Sequence, residues 1–184
     1  MTRTLLAVLA LLPLSGCMSG AFYGSDPYSQ GMREYDQKKY GDAAAYWEPL
    51  AAQGDCDAEY KMGILYFLAK GRTQDNAKAL ALFRKAASAN QPQAQAAMGD
   101  LYYQNDDITL HHCGDCGLQK DLVQAHFWYA LLQKSAKIKV EKEYADTMLA
   151  TVERALSKEE LAKAKESEVA WAPAPKDCGP RQWH

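Results

Sequence analysis

Ala58-Glu59-Tyr60-Lys61-Met62-Gly63-Ile64-Leu65-Tyr66 returns 36 residues later as Ala94-Gln95-Ala96-Ala97-Met98-Gly99-Asp100-Leu101-Tyr102, with five of nine positions identical. A second pattern interleaves with it: Ala43 with Trp47, Ala79 with Phe83 and Ala125 with Tyr129, at offsets of 36 and then 46. In each pair the alanine and the aromatic stand four residues apart, one above the other on a helix. The chain therefore reads as helix A, helix B, then the same again. Self-similarity at this period marks a stack of supersecondary units. Strand signals are absent: there are no alternating β-branched runs and no hairpin turns between such runs.

The repeat carries its own packing logic. Gly63 and Gly99 present no side chain, so a neighbouring helix approaches closely there, with Ala43, Ala79 and Ala125 as the small residues on helix B. Tyr66, Tyr102, Trp47, Phe83 and Tyr129 fill the space between repeats. A single helix pair does not bury its apolar face; stacking buries it. The stretches Ala58 to Tyr66, Lys78-Ala79-Leu80 to Lys85-Ala86-Ala87, and Ala94 to Tyr102 resemble Sel1-like repeats, αα-hairpins related to tetratricopeptide repeats. Trp47-Glu48-Pro49-Leu50-Ala51 followed by Gly54-Asp55 is similar to the opening of many such proteins. Ala125-His126-Phe127-Trp128 and the later Ser157-Lys158-Glu159-Glu160-Leu161 are similar to their closing helices. The resemblance implies an all-α fold, an α-solenoid of antiparallel helix pairs over residues 28–171, and a protein-interaction scaffold in place of an enzyme.

The helices expected from pattern and caps are Ser29–Lys39, Asp42–Gln53, Asp57–Leu68, Asn76–Ala89, Pro92–Gln104, Asp121–Ala136, Val140–Leu156 and Lys158–Ala170. Gly54 and Gly71 read as stops. Ser157 with Glu160 reads as a capping box. Pro49 lies inside a helix, where its ring removes a hydrogen bond and is expected to kink it. The third unit carries ten extra residues within Gln104 to Lys120.

The N-terminus is an address. Arg3 precedes an apolar run of ten, Leu5 to Leu14. A membrane-spanning helix needs about 20 apolar residues, so this run fits a secretory signal peptide over residues 1–16. Leu14-Ser15-Gly16-Cys17 resembles the lipobox of bacterial lipoproteins. That resemblance implies a Cys17 carrying several acyl chains, palmitate among them. One chain binds a membrane only marginally, several hold it. Met18 follows Cys17 where inner-membrane lipoproteins commonly carry Asp, which points to the periplasmic face of the outer membrane of a Gram-negative bacterium. Residues 17–27 are rich in Gly and Ser and read as a flexible tether. Residues 172–184 (APAPKDCGPRQWH) read as a Pro-rich tail.

Composition limits the function. Of 184 residues 48% are apolar, enough for a buried core, and 21 Lys+Arg against 23 Asp+Glu leave a net charge of −2. Without a basic excess the electrostatic footprint of nucleic-acid binding is missing. No cofactor-binding motif, phosphate loop or Ser-His-Asp order appears. His126, beside Trp128, reads as a packed helix residue.

The most pointed cluster lies in the insertion: His111, His112, Cys113 and Cys116. In an oxidising envelope Cys113 and Cys116 are expected to pair, with Cys56 and Cys178 paired or free. A zinc site using His111, His112, Cys113 and Cys116 is the alternative, as half of a tetrahedral set. Thiol-redox chemistry is a further one, although the usual strand framework is missing. Haem attachment fails, because Gly117 stands where the histidine is required. Elsewhere, Tyr60, Ile64 and Phe67 share a helix face distinct from that of Glu59, Met62, Gly63 and Tyr66. Ala96, Asp100 and Tyr103 are their counterparts one repeat on. If the first face packs, the second lines a groove. The resulting expectation is a lipid-anchored scaffold that binds another envelope protein through that groove, with an envelope redox or metal-binding protein as the alternative.

Overall fold

The computed structural model describes residues 24–104 and 118–171. Among them are eight α-helices and no strand: α1 Pro27–Asp36, α2 Tyr40–Ala52, α3 Cys56–Phe67, α4 Asn76–Ser88, α5 Pro92–Tyr103, α6 Leu122–Ser135, α7 Lys139–Ala155 and α8 Lys158–Ala170. The expected signal peptide, Cys17, the insertion residues His111, His112, Cys113 and Cys116, and the tail lie outside the described residues.

The chain is an α-solenoid. Consecutive helices from α1 to α7 pack pairwise, and α8 turns back onto α6. α1, α3, α5 and α7 form one layer; α2, α4 and α6 form the other. The buried residues run as a continuous band through the stack: Trp47, Met62 and Leu65 at one end, Phe83, Met98 and Trp128 in the middle, Tyr129, Met148 and Val152 beyond.

The turns explain how a 36-residue repeat is made. At the end of α2 the Gly54 amide donates to Ala51 and the Asp55 amide to Leu50, with Gly54 left-handed at φ 80°. This is a Schellman ending, in which the last carbonyls of the helix are satisfied by a residue past its end. Asp55 then caps α3 by accepting from the Ala58 amide at 2.9 Å. Stop and start occupy two adjacent residues. The same construction recurs 36 residues on, where Asn90 (φ 62°) ends α4 and Gln91 caps α5. α1 and α3 end the same way on Lys38 and Ala69, residues that carry a Cβ into the left-handed region.

One expectation needs correcting. The tether does not extend to residue 27: Asp26 accepts from the Tyr28 and Ser29 amides at 3.0 and 3.1 Å, and Pro27 takes the first helical position. Asp-Pro is a helix start here, because the proline has no amide to leave orphaned. Pro49 stands in the last turn of α2, which runs past it to Ala52. The capping box of Ser157 and Glu160 is present.

The glycines work as close-approach points, but their partners differ from expectation. A Cβ on Gly63 would fall 2.5 Å from a ring carbon of Phe83, and one on Gly99 2.6 Å from a ring carbon of Tyr129. The aromatic of helix B, not the alanine one turn before it, lies over the glycine. Gly31 receives Trp47 in the same manner, with Cβ distances of 2.7 and 2.8 Å to the indole. Gly31–Trp47, Gly63–Phe83 and Gly99–Tyr129 are one contact used three times.

Candidate functional site

Tyr60, Ile64 and Phe67 fall at i, i+4 and i+7 of α3, on one face. Gln93, Ala96 and Asp100 do the same on α5 at i, i+3 and i+7. These faces meet across a pocket of about 240 Å³, closed on its inner side by Phe83. Phe83 lies 5.8 Å from the Tyr60 ring and 6.2 Å from the Phe67 ring, between centroids. The lining is almost wholly apolar. Asp100 and, at its edge, Gln93 are the exceptions.

Asp100 stands where the preceding repeat has Ile64. Its Oδ1 accepts hydrogen bonds from the hydroxyls of Tyr129, at 2.7 Å, and Tyr144. No Lys, Arg or His among the described residues forms an ion pair with it. Burial pushes the Asp100 carboxyl up from its ordinary range, and the bonds from Tyr144 and Tyr129 only partly oppose this. Desolvation disfavours the charged form, while hydrogen bonds to it favour that form. The neighbouring phenols respond in kind. Tyr60 is pushed up to about 12 by burial, then by the charges of Asp100 and Tyr35. Tyr129 and Tyr144 are pushed up by burial and then by Asp100. All three phenols are neutral at physiological pH, so Asp100 is the acidic group of the pocket lining.

Its rim is polar. Gln93 is bonded to Glu141 of α7, and Gln91, at the start of α5, donates to Asp57 at 3.3 Å. Lys61 lies over the rings of Tyr35 and Tyr60. Burial lowers its pKa, and the charges of Asp57 and Asp36 counter this.

The structure thus brings Tyr60, Ile64 and Asp100 to one pocket. Phe67 contributes a wall but is only 4% exposed, so it belongs to the core. It is buried in one cluster with Phe83 and Leu101 of the adjoining helices. Tyr103 lies apart from the pocket: it packs toward α6 and α7, with Lys120 over its ring. The sequence signal for the hydroxyl pair was weak. Tyr129 reads only as the packing aromatic of its repeat, and Tyr144 belongs to no repeated pattern.

Other hollows lie elsewhere among the described residues. One, of about 370 Å³, lies between α2, α3 and α4, and one of about 450 Å³ adjoins the end of α8. Their leading charges are already matched within the chain. Lys85 pairs with the buried Glu59 at 2.5 Å, and Lys134 with Glu168 at 3.2 Å.

His126, buried on α6, is a tie between helices. Its Nε2 is 3.1 Å from Glu153 of α7, and its Nδ1 is 3.2 Å from Glu168 of α8, an ion-pair approach without hydrogen-bond alignment. Among the described residues no group of three His, Cys, Asp or Glu is arranged to hold a metal ion, and no helix is long and apolar enough to cross a membrane. Cys56 opens α3 and is not a free thiol.

The fold is that of a Sel1-like-repeat protein. The chain is similar to the crystal structure of a protective antigen present in uropathogenic Escherichia coli strains, which displays an SLR (Sel1-like repeat) fold. The TM-score is 0.64 at 21% sequence identity, covering 78% of this chain and 29% of the antigen. The chain thus spans under a third of that protein's length. No family model and no curated protein matches the sequence.

Proposed function

We propose that this protein is a lipid-anchored scaffold of the bacterial cell envelope, which holds another protein through the α3–α5 pocket. The observation that carries this reading is the pocket itself. On a helical-repeat frame it exposes Tyr60 and Ile64 beside a half-buried carboxylate that nothing in the described chain neutralises. Partly exposed aromatic and aliphatic side chains around one desolvated polar group are the usual make-up of an interface anchor point. In this reading Cys17 is acylated and holds the protein at the periplasmic face of the outer membrane. Cys113 and Cys116 are oxidised and shape the insertion. The absence of a free thiol at Cys56 fits an oxidising compartment.

The test is photocrosslinking in cells. A benzophenone amino acid at Gln93, on the pocket rim, is expected to trap an envelope protein identifiable by mass spectrometry. The same group at Arg84, exposed on α4 in the other layer, is expected to trap none. Crosslinks from Arg84 with none from Gln93 would place the interaction on the opposite layer and overturn the assignment.

A further inference from the structure

Resting on that reading of the pocket, we infer that its occupant is a basic side chain, a lysine or arginine presented by a segment of the partner protein, with its aliphatic stem along Ile64 and Ala96 and its cation on the free carboxylate oxygen of Asp100. The volume comes first. About 240 Å³ falls below the roughly 300–1,000 Å³ of small-molecule sites, and suits one long side chain. The chemistry of the walls comes second. Tyr60, Ile64, Ala96, Ala97 and Leu101 offer an apolar sleeve, which a (CH₂) stem fills without stranding a polar group.

Charge complementarity decides the tip. Both tyrosine hydroxyls bond to the same oxygen, Oδ1. Oδ2 has no donor among the described residues, while Asp100 lines the pocket. An apolar tip would strip water from Oδ2 and leave it unpaired, which is costly for a charged group. A carboxylate tip would set two like charges together. An ammonium or guanidinium supplies both the missing donor and the missing charge, and the face of Tyr60 adds a cation–π contact. Lys61, which lies over the Tyr60 ring, is held over Tyr35 as well, near Asp57 and Asp36, and forms no ion pair with Asp100. Glu141, bonded to the lining residue Gln93, favours a cation as well.

The experiment pans a displayed library of random heptapeptides against the purified chain, then measures the affinity of the selected peptides by fluorescence anisotropy. The expected result is enrichment of peptides with Lys or Arg at one fixed position flanked by aliphatic residues. Replacing that lysine by norleucine keeps the stem and removes the charge, and leaves the protein untouched. Binding is expected to weaken at least about tenfold, the factor for a lost charge-assisted hydrogen bond. Asp100→Asn should weaken it to a similar degree while keeping the parent circular dichroism. Ala96→Trp, which fills the pocket, should abolish it. Selected peptides lost with Ala96→Trp but indifferent to norleucine and to Asp100→Asn would overturn the cation and leave the pocket standing. Peptides indifferent to Ala96→Trp, or no enrichment at all, would overturn the pocket as the site and the inference with it.

Discussion

Gly99→Ala adds one methyl group where the fold and the pocket share an atom contact. The new Cβ would stand 2.6 Å from Cδ1 and 2.8 Å from Cζ of Tyr129. Carbon atoms prefer about 3.5–4.0 Å, so the ring or the helix must move by roughly 1 Å. Tyr129 is fully buried, and its hydroxyl is fixed to Asp100 at 2.7 Å. If the ring swings, that hydrogen bond to a charged group is lost, at about 1.5–3 kcal/mol. If α5 and α6 part instead, overpacking costs about 1–3 kcal/mol. Alanine returns about 1 kcal/mol through helix propensity. The net loss is about 1 kcal/mol, which for a domain of this size lowers the melting temperature by roughly 2–4 °C. Gly41→Ala is the control, since a Cβ there meets nothing within 4 Å, and it should melt at or slightly above the parent. Thermal unfolding followed by circular dichroism reads both. In a Tyr129→Phe background the Gly99→Ala penalty should shrink, because the ring is no longer tied to Asp100. A Gly99→Ala protein as stable as Gly41→Ala would refute the glycine–aromatic contact as the determinant of repeat packing.

Burial raises the Asp100 pKa in the folded chain, so its favourable contribution is present below the unfolded value of about 4 and is lost as pH rises through the folded one. Asp100→Asn should therefore gain in melting temperature relative to the parent between pH 4 and pH 7.5; a pH-independent difference would contradict the burial argument. Ala69 sits left-handed at φ 52°, where a Cβ costs about 1 kcal/mol, so Ala69→Gly should raise the melting temperature slightly. Gly71→Ala should lower it, since its Cβ would lie 2.6 Å from the Gly41 nitrogen at φ 67°. Cys17→Ala should release the protein from membranes or block its processing, and unchanged membrane fractionation with normal cleavage would argue against the lipobox. Cys113→Ser with Cys116→Ser should leave the melting temperature almost unchanged, because a small ring gives little loop-entropy stabilisation. A large loss would instead point to a bridge from the insertion to Cys56 or Cys178, across a longer stretch of chain.

The fold was legible because a repeat states its packing more than once. The nine-residue return at 36 places α3 and α5, and the alanine–aromatic pairs place α2, α4 and α6. What a repeat pattern misses is whatever breaks it. Gly31 makes the same contact with Trp47 that Gly63 makes with Phe83, yet Asp26 to Glu34 shares too few residues with Ala58 to Tyr66 for an alignment to reveal it. The start of α1 was hidden for a different reason. Asp26-Pro27 closes a Gly/Ser-rich stretch whose composition outweighed its capping chemistry. The alanine was assigned to the glycine because small residues suit close approach, but a flat ring placed over a glycine achieves that approach while burying far more apolar surface.

The pocket depends on a residue at which the second repeat departs from the first. Helical spacing put Tyr60, Ile64, Phe67, Asp100 and Tyr103 on equivalent faces, but a face is about seven residues long and a pocket is shorter. Phe67 and Tyr103 end their stripes, where the neighbouring helices close over the first and draw the second toward α6 and α7. At the centre, the aliphatic Ile64 becomes the acidic Asp100. The packing frame then supplies what the acid requires, since Tyr129, fixed over Gly99, presents its hydroxyl to the residue next door. Tyr144 of α7 supplies the second donor from outside the repeat. Without those hydroxyls a carboxylate between two apolar helix faces would be protonated or expelled. With them its Oδ1 is held by two donors at the pocket wall, so the contact that sets the spacing of α5 and α6 also positions the acid that a partner would meet.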